Sequence, residues 1–319
     1  MLEYSNSLSS GSGYKWQPCS RIPPNKSSAF PNLSPSLPYS LTATAMAGTV
    51  IIFDFDKTII DCDSDNWVID ELGATQLFEA LLPSMPWNSL MDRMMMELHA
   101  QGKTIDDIAE VLKRAPLDRH VASAIKYAYA LGCDLRIVSD ANFFFIETIL
   151  KHHGLIGCFT EINTNPSFID DKGRLRIAPY HDFTKSSHGC PLCPPNMCKS
   201  KIVERIRAGE KKRVIYLGDG KGDYCPSLRL GEGDFVMPRK NYPLWDLIQN
   251  NPGLLRAEVH EWSNGEEQEK VLLHLISLSE FAVSNGTVDA AQLLPVDCKM
   301  NSMPAKPREP LPKFLPVPM

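Results

Sequence analysis

Residues 49–58, TVIIFDFDKT, decide the fold of this chain. Residues 49–55 are a strand-length apolar run, rich in β-branched and aromatic side chains and broken only by Asp54. A continuous apolar run, as opposed to an alternating one, marks a strand buried on both faces. Asp54 and Asp56 stand at its carboxyl end, the place where ligands bind in open α/β sheets. Two carboxylates at that point can face one pocket, and their repulsion calls for a cation or a shared proton. Mg²⁺, which prefers carboxylates together with substrate phosphate and water, answers that need. By itself the pair reads equally well as a solvated acidic turn.

Working outward, more apolar runs follow at intervals. Residues 134–138 (DLRIV) come after a helix-like stretch at 121–131, and residues 213–217 (RVIYL) after another at 199–208. Residues 234–237 (DFVM) form a fourth run. Strands of this kind separated by helices predict a doubly wound parallel α/β sheet with a Rossmann-like core. The first two strands are separated by far more chain than a crossover needs. Apolar spacing at 67–82, 90–98 and 105–112 predicts a helical cap there. The expected organisation is a core of 48–62 and 120–280, a cap of 63–119, and extensions at both ends.

Residues 1–47 hold six prolines and eleven serines, with Glu3 as their one acidic residue. That composition suits either a disordered extension, with Met46 as an alternative start, or a plastid transit peptide. The first reading predicts a cytoplasmic protein. Residues 281–319 end in PAKPREPLPKFLPVPM, whose proline density predicts disorder. Hydrophobic residues make up 43% of the 319, enough for a large core. The net charge of -5 argues against a nucleic-acid partner. No apolar run reaches the length of a membrane span. Nine dispersed cysteines suggest reduced thiols and not a disulfide framework.

Three further pieces raise the odds for chemistry at Asp54. Ser139, within IVSD, closes the second strand and offers a hydroxyl to a phosphoryl oxygen. Residues 217–223 (LGDGKGD) close the third and add Asp219 and Asp223. Lys199 opens a predicted helix between these strands, where its charge can offset that of phosphate. Together these residues resemble the haloacid dehalogenase phosphatase superfamily, whose pattern is DxDxT, Ser or Thr, Lys, then GDxxxD. The resemblance implies Asp54 as the nucleophile forming an aspartyl-phosphate, with Asp56 as the acid that then becomes the base. It implies Mg²⁺ held by Asp54, Asp56 (through its backbone carbonyl) and Asp219, with Asp223 in support. Thr58, Ser139 and Lys199 are the implied phosphate-binding residues.

The stretches FDFDKTIIDCDSDNWV, IVSDAN, PYHDF, CPPNMCK and YLGDGKGDYCPS look like the phosphoethanolamine/phosphocholine phosphatase family, especially its plant branch. That branch includes pyrophosphatase and thiamine-phosphate-phosphatase-like members. The family implies recognition of a substrate amine by two acids, which match Asp65 and Asp140. A fixed carboxylate in low dielectric attracts an ammonium group, and Trp67 or Trp87 offers a cation–π face. The plainer readings are helix capping for Asp65 and cap packing for both tryptophans.

Other features remain open at this level. His188, Cys190, Cys193 and Cys198 form HxCxxCxxxxC, either a compact zinc site or a stiff proline-fixed loop leading to Lys199. His181 and Asp182 either orient phosphate or pack a loop. Residues 94–96, all Met, suit core filling. Lys211, Lys212 and Arg213 suit a solvated edge. The expected activity is hydrolysis of small phosphomonoesters, preferably phosphocholine and phosphoethanolamine. The alternatives are pyrophosphate or thiamine monophosphate at the same site, or a catalytically silent phosphatase-like binding protein.

Overall fold

The computed structural model describes residues 48–208 and 212–284. The extension of 1–47, the tail from 285 onward and Lys211 lie outside the described residues. Strand β1 (Thr49–Phe53) is followed by four helices: α1 (Ser64–Glu71), α2 (Thr75–Leu81), α3 (Trp87–Ala100) and α4 (Ile105–Leu112). Next come α5 (Arg119–Ala130), β2 (Asp134–Asn142), α6 (Phe143–His152) and β3 (Phe159–Asn165). A short antiparallel hairpin, β4 (Ser167–Ile169) with β5 (Leu175–Ile177), precedes α7 (Lys199–Ala208) and β6 (Arg213–Gly218). The chain ends through α8 (Tyr224–Ser227), β7 (Phe235–Pro238), α9 (Pro243–Asn250), β8 (Glu258–Val259) and α10 (Gly265–Ser284).

Six parallel strands stand in the order β3-β2-β1-β6-β7-β8. From β1 the chain builds outward through β2 and β3, then crosses back to β6 on the other side. The crevice between β1 and β6 is therefore the topological switch point, and it lies at their carboxyl ends. The apolar run of β1 serves both faces. Ile51 and Phe53 join one buried cluster; Val50 and Ile52 join the other. The first cluster also takes in Val68, Phe78, Leu90, Met94 and Leu112 from α1–α4, so these helices share one core with the sheet. The second cluster lies under α7, α8 and α9.

Local signals explain most element ends. Asp63 caps α1 and Asn142 caps α6, each side chain accepting a backbone N–H from the first turn. Thr104 and Asp107 form a capping box at α4. Residues 67–82 do not form one helix. Gly73, with φ +75°, stops α1 in the left-handed region that glycine adopts freely, and α2 starts afresh. The fourth strand starts one residue later than expected. Asp234 turns its carboxylate to the backbone N–H groups of Val214 (2.9 Å) and Gly231 (2.7 Å), while its carbonyl accepts the Glu258 N–H at 3.1 Å just ahead of the strand. α10 continues to Ser284, beyond the expected core boundary at 280. Among the described residues, no helix is long and apolar enough to cross a membrane.

The hairpin fastens the four-helix insertion to the core. Asp92 of α3 accepts two bonds from the Arg176 guanidinium, at 2.8 and 2.7 Å, and one from the Ile177 backbone at 2.9 Å. Both side chains are half-buried, which favours a charge-assisted, two-pronged pair over an exposed one. Asp92→Ala is expected to lower stability by about 2 kcal/mol in urea unfolding, with the denaturant slope unchanged.

Candidate active site

The turn after β1 is held from several directions. The backbone N–H of Ile59 returns to the carbonyl of Phe55 at 2.8 Å, and that of Lys57 to Cys62 at 2.9 Å. Lys57 takes φ +54°, a conformation that costs a non-glycine residue roughly 1–2 kcal/mol. The surroundings enforce it. Arg239 donates to the Lys57 carbonyl at 2.8 Å, and the buried Gln268 amide of α10 donates to the Thr58 carbonyl at 2.9 Å. Asp54 and Asp56 thus leave the strand end in a fixed geometry.

Asp54 is buried between β1 and β6, and its backbone N–H donates to the Leu217 carbonyl at 2.9 Å. One carboxylate oxygen accepts the Phe55 N–H at 2.7 Å, and the other meets the Lys199 ammonium at 2.8 Å. Lys199 also bonds Asp223 Oδ1 at 2.9 Å. Asp223 is saturated. The Tyr216 hydroxyl donates to Oδ1 at 2.7 Å, and the N–H groups of Asp219 and Gly220 donate to Oδ2 at 3.2 and 2.9 Å. Asp223 therefore anchors the lysine and the loop, while Asp54 and Asp219 keep acceptor capacity. Gly218 is required by this packing, because a Cβ there would lie 2.5 Å from the Asp223 carboxyl carbon.

Carboxylate oxygens of Asp54, Asp219 and Asp223 lie within 4.8 Å of one another. Lys199 is the one buried ammonium among them, so negative charge is in excess. Burial, with added repulsion from Asp223, pushes the Asp54 carboxyl well above the usual carboxylate range against the pull of Lys199. Burial and Asp223 likewise push Asp219 up to about 7. Lys199 is held well above its ordinary value by Asp223 and Asp54, which outweigh its own desolvation. Clustered hard oxygen donors short of positive charge fit a small divalent cation such as Mg²⁺.

The other residues singled out from the sequence are placed as follows. Asp56 is half-buried, and its Oδ1 accepts the Ser64 N–H at 3.0 Å. Its carboxyl is driven well up by burial, then by Asp63 and Asp65. Thr58 turns its hydroxyl to Asp219 Oδ1 at 3.5 Å, a long contact that links the two strand-end loops. Ser139 does not close the second strand, since β2 continues to Asn142; it is fully buried in the irregular stretch after Val138, where its oxygen accepts the Ala141 N–H at 3.3 Å. Asp140 is exposed on β2, and its charge adds to the repulsion felt by both Asp54 and Asp65.

Asp65 is buried in the first turn of α1; the cap itself is Asp63. Asp65 Oδ2 accepts the Trp87 indole N–H at 2.7 Å, whereas Oδ1 has no hydrogen-bond partner. Trp87 packs edge-on against Phe78, and Trp67 donates to the Val111 carbonyl at 3.0 Å, so both tryptophans pack the insertion. His181 and Asp182 serve their own loop, contacting Ser186 and Thr184. Tyr216 and Gln268 were not anticipated. A tyrosine inside a wholly apolar strand needs a partner for its hydroxyl, and that was the available signal.

A cluster of buried acids at the switch point, backed by a buried lysine and a GDxxxD loop, defines a phosphatase of the haloacid dehalogenase type. Residues 49–276 match the family described as Putative Phosphatase, and the chain belongs to that family. An Arabidopsis thaliana protein named Inorganic pyrophosphatase 2 is 62% identical over 233 residues, 72% of this chain and 84% of that one. The Arabidopsis thaliana Thiamine phosphate phosphatase-like protein is 57% identical over 73% of this chain and 97% of its own length. The Homo sapiens Phosphoethanolamine/phosphocholine phosphatase is 33% identical over 71% and 87%. The fold is similar to that of a HAD family hydrolase from Salmonella enterica subsp. enterica serovar Typhi, at TM-score 0.50 and 18% identity over 72% of each chain.

The Gly218–Asp223 contact supplies a test. Gly218→Ala must displace Asp223 and, through it, Lys199. It is expected to lower kcat on a small phosphomonoester about 100-fold while circular dichroism stays unchanged.

Proposed function

We propose that this phosphatase hydrolyses small phosphomonoesters carrying a cationic amine, with phosphoethanolamine and phosphocholine preferred. The observation that carries this reading is the Asp65 carboxylate, buried beside the site with Oδ1 lacking a partner. A buried acceptor without a donor is costly. A primary ammonium two carbons from a phosphate at Asp54 would relieve that cost by donating a hydrogen bond, and a trimethylammonium would do so through its charge alone, with Asp140 adding long-range attraction.

In the proposed reaction Asp54 attacks phosphorus and the ester oxygen leaves. Burial, then the nearby Asp63 and Asp65, raise the Asp56 carboxyl, which favours the protonated form a general acid needs. Asp56 donates its proton to the leaving oxygen, then takes one from the water that opens the aspartyl-phosphate. Lys199, fixed by Asp223, offsets the charge on the transferring phosphoryl group, and Ser139 and Thr58 complete its cradle. A Mg²⁺ ion held by Asp54, the Asp56 carbonyl and Asp219 would keep these carboxylates ionised and screen them from the phosphate.

A second reading, hydrolysis of pyrophosphate, is favoured by the name of the 62% identical relative. The cluster of Asp56, Asp63, Asp65 and Asp140 speaks against it, because a polyanion would enter a field of its own sign. Thiamine monophosphate carries a cation and suits the Asp65 pocket as the amines do. Initial rates on the four compounds, with and without Mg²⁺, separate these readings. A clear preference for pyrophosphate would overturn the amine reading.

Asp65→Asn keeps an acceptor for Trp87 and removes the charge. It is expected to raise KM for phosphoethanolamine and phosphocholine roughly 10- to 100-fold and to spare p-nitrophenyl phosphate. pH offers a further check. Burial, with Asp63 adding repulsion, pushes Asp65 up to about 8, so its charged form gains population as pH rises through that value. At saturating Mg²⁺, KM for phosphocholine is expected to fall between pH 7 and 9, with no such fall for p-nitrophenyl phosphate.

A further inference from the structure

Behind the catalytic lysine the fold gathers four thiols. Cys190 and Cys193 lie in the proline-rich loop that precedes α7, Cys198 is the residue before Lys199, and Cys225 opens α8 two residues after Asp223. Their Sγ atoms all lie within 4.8 Å of one another. Cys190 and Cys225 approach to 3.5 Å, far longer than the roughly 2.05 Å of a disulfide. All four are free thiols, two buried and two half-buried. Four sulfurs around one zinc at about 2.3 Å stand about 3.8 Å apart in a tetrahedron, a spacing this tetrad brackets.

The set differs from the one the sequence suggested. His188 is excluded because both of its ring nitrogens are engaged. Nδ1 accepts the Cys190 N–H at 3.1 Å, and Nε2 bonds the Pro194 carbonyl at 2.8 Å. The fourth position falls instead to Cys225, 27 residues beyond Cys198 in sequence and brought in by the packing of α8 on α7. Two hydrogen-bond donors face the sulfurs. The Leu192 N–H points at Cys190, and the Ser200 hydroxyl lies 3.1 Å from Cys198 Sγ and also reaches Cys225.

We propose that Cys190, Cys193, Cys198 and Cys225 bind one structural zinc ion as a closed tetrathiolate site. Four protein ligands leave no open position for substrate or water, so the ion serves as a brace and not as a catalyst. It ties the loop that delivers Lys199 to the turn that carries Asp223. The two residues whose contact organises the phosphatase centre are thereby fixed from behind. Zinc displaces the thiol protons to solvent, with no change in sulfur oxidation state.

The test is metal content. Full-length protein produced with zinc and dialysed against metal-free buffer is expected to retain about one zinc per chain by plasma mass spectrometry. Cobalt in its place should give the intense thiolate charge-transfer absorption of a tetrahedral tetrathiolate. Cys193→Ser and Cys225→Ser should each lose the metal, while Cys158→Ser and Asp219→Asn should keep it. The last of these separates the tetrad from the carboxylate centre. Wild-type protein that takes up neither metal, or that shows a Cys190–Cys225 disulfide by mass, would overturn the proposal, as would undiminished zinc in Cys225→Ser. Cobalt absorption on the wild type supports it even where a cysteine variant does not fold.

Discussion

The contact of one buried ammonium with two carboxylates, Lys199 with Asp54 and Asp223, is the interaction on which the site depends. It joins three pieces of chain that are distant in sequence: the end of β1, the start of α7 and the loop after β6. A buried lysine is costly unless its charge is matched and its hydrogens are engaged. Here two acids supply the match, and Tyr216 together with two backbone N–H groups holds the second acid in place. The remaining acid, Asp219, leaves the group over-supplied with negative charge. That excess is what suits the centre to a divalent cation and a phosphoryl group, neither of which a neutral, fully paired network would attract.

The sheet sets the geometry, and the insertion carries one of the two acids proposed to meet the substrate amine. Because the strand order reverses at β1 and β6, their carboxyl ends open onto a common crevice. The helices of residues 64–112 pack into the same apolar core as the sheet, with Asp92 and Arg176 fastening them to the hairpin. Asp65 stands on this insertion, with Trp87 fixing one of its oxygens and leaving the other free. The residues proposed for phosphate thus stand at the carboxyl ends of the strands and at the start of α7, while of the two acids proposed for the amine, Asp140 belongs to β2 and Asp65 to the insertion.

Much of this was legible in the sequence where apolar runs end in acids. The runs at 49–55, 134–138 and 213–217 form strands because their side chains serve both faces of the sheet, although β1 stops at Phe53 and β2 runs on to Asn142, and α7 covers the residues expected of it. β3, FTEINTN, escaped notice because an edge strand carries polar residues and lacks the continuous apolar signature. The β4–β5 hairpin was too short to stand out. The proposed catalytic acids were visible because motif and strand end coincide. The support given by Tyr216 and Gln268 was not, since each acts through one long-range contact that no spacing encodes. Cys225 was missed for the same reason: a local motif shows three of the thiols, and only packing supplies the fourth.

The central claim is that Asp54 becomes covalently phosphorylated during turnover. Acid-quenched protein, mixed with Mg²⁺ and phosphoethanolamine and digested, is expected to give the peptide containing Asp54 with one added phosphoryl group that alkaline hydroxylamine removes. Phosphate on another residue would contradict the account. So would a reaction that turns over with no phosphorylated peptide at any quench time and transfers the phosphoryl group directly to water with inversion at phosphorus.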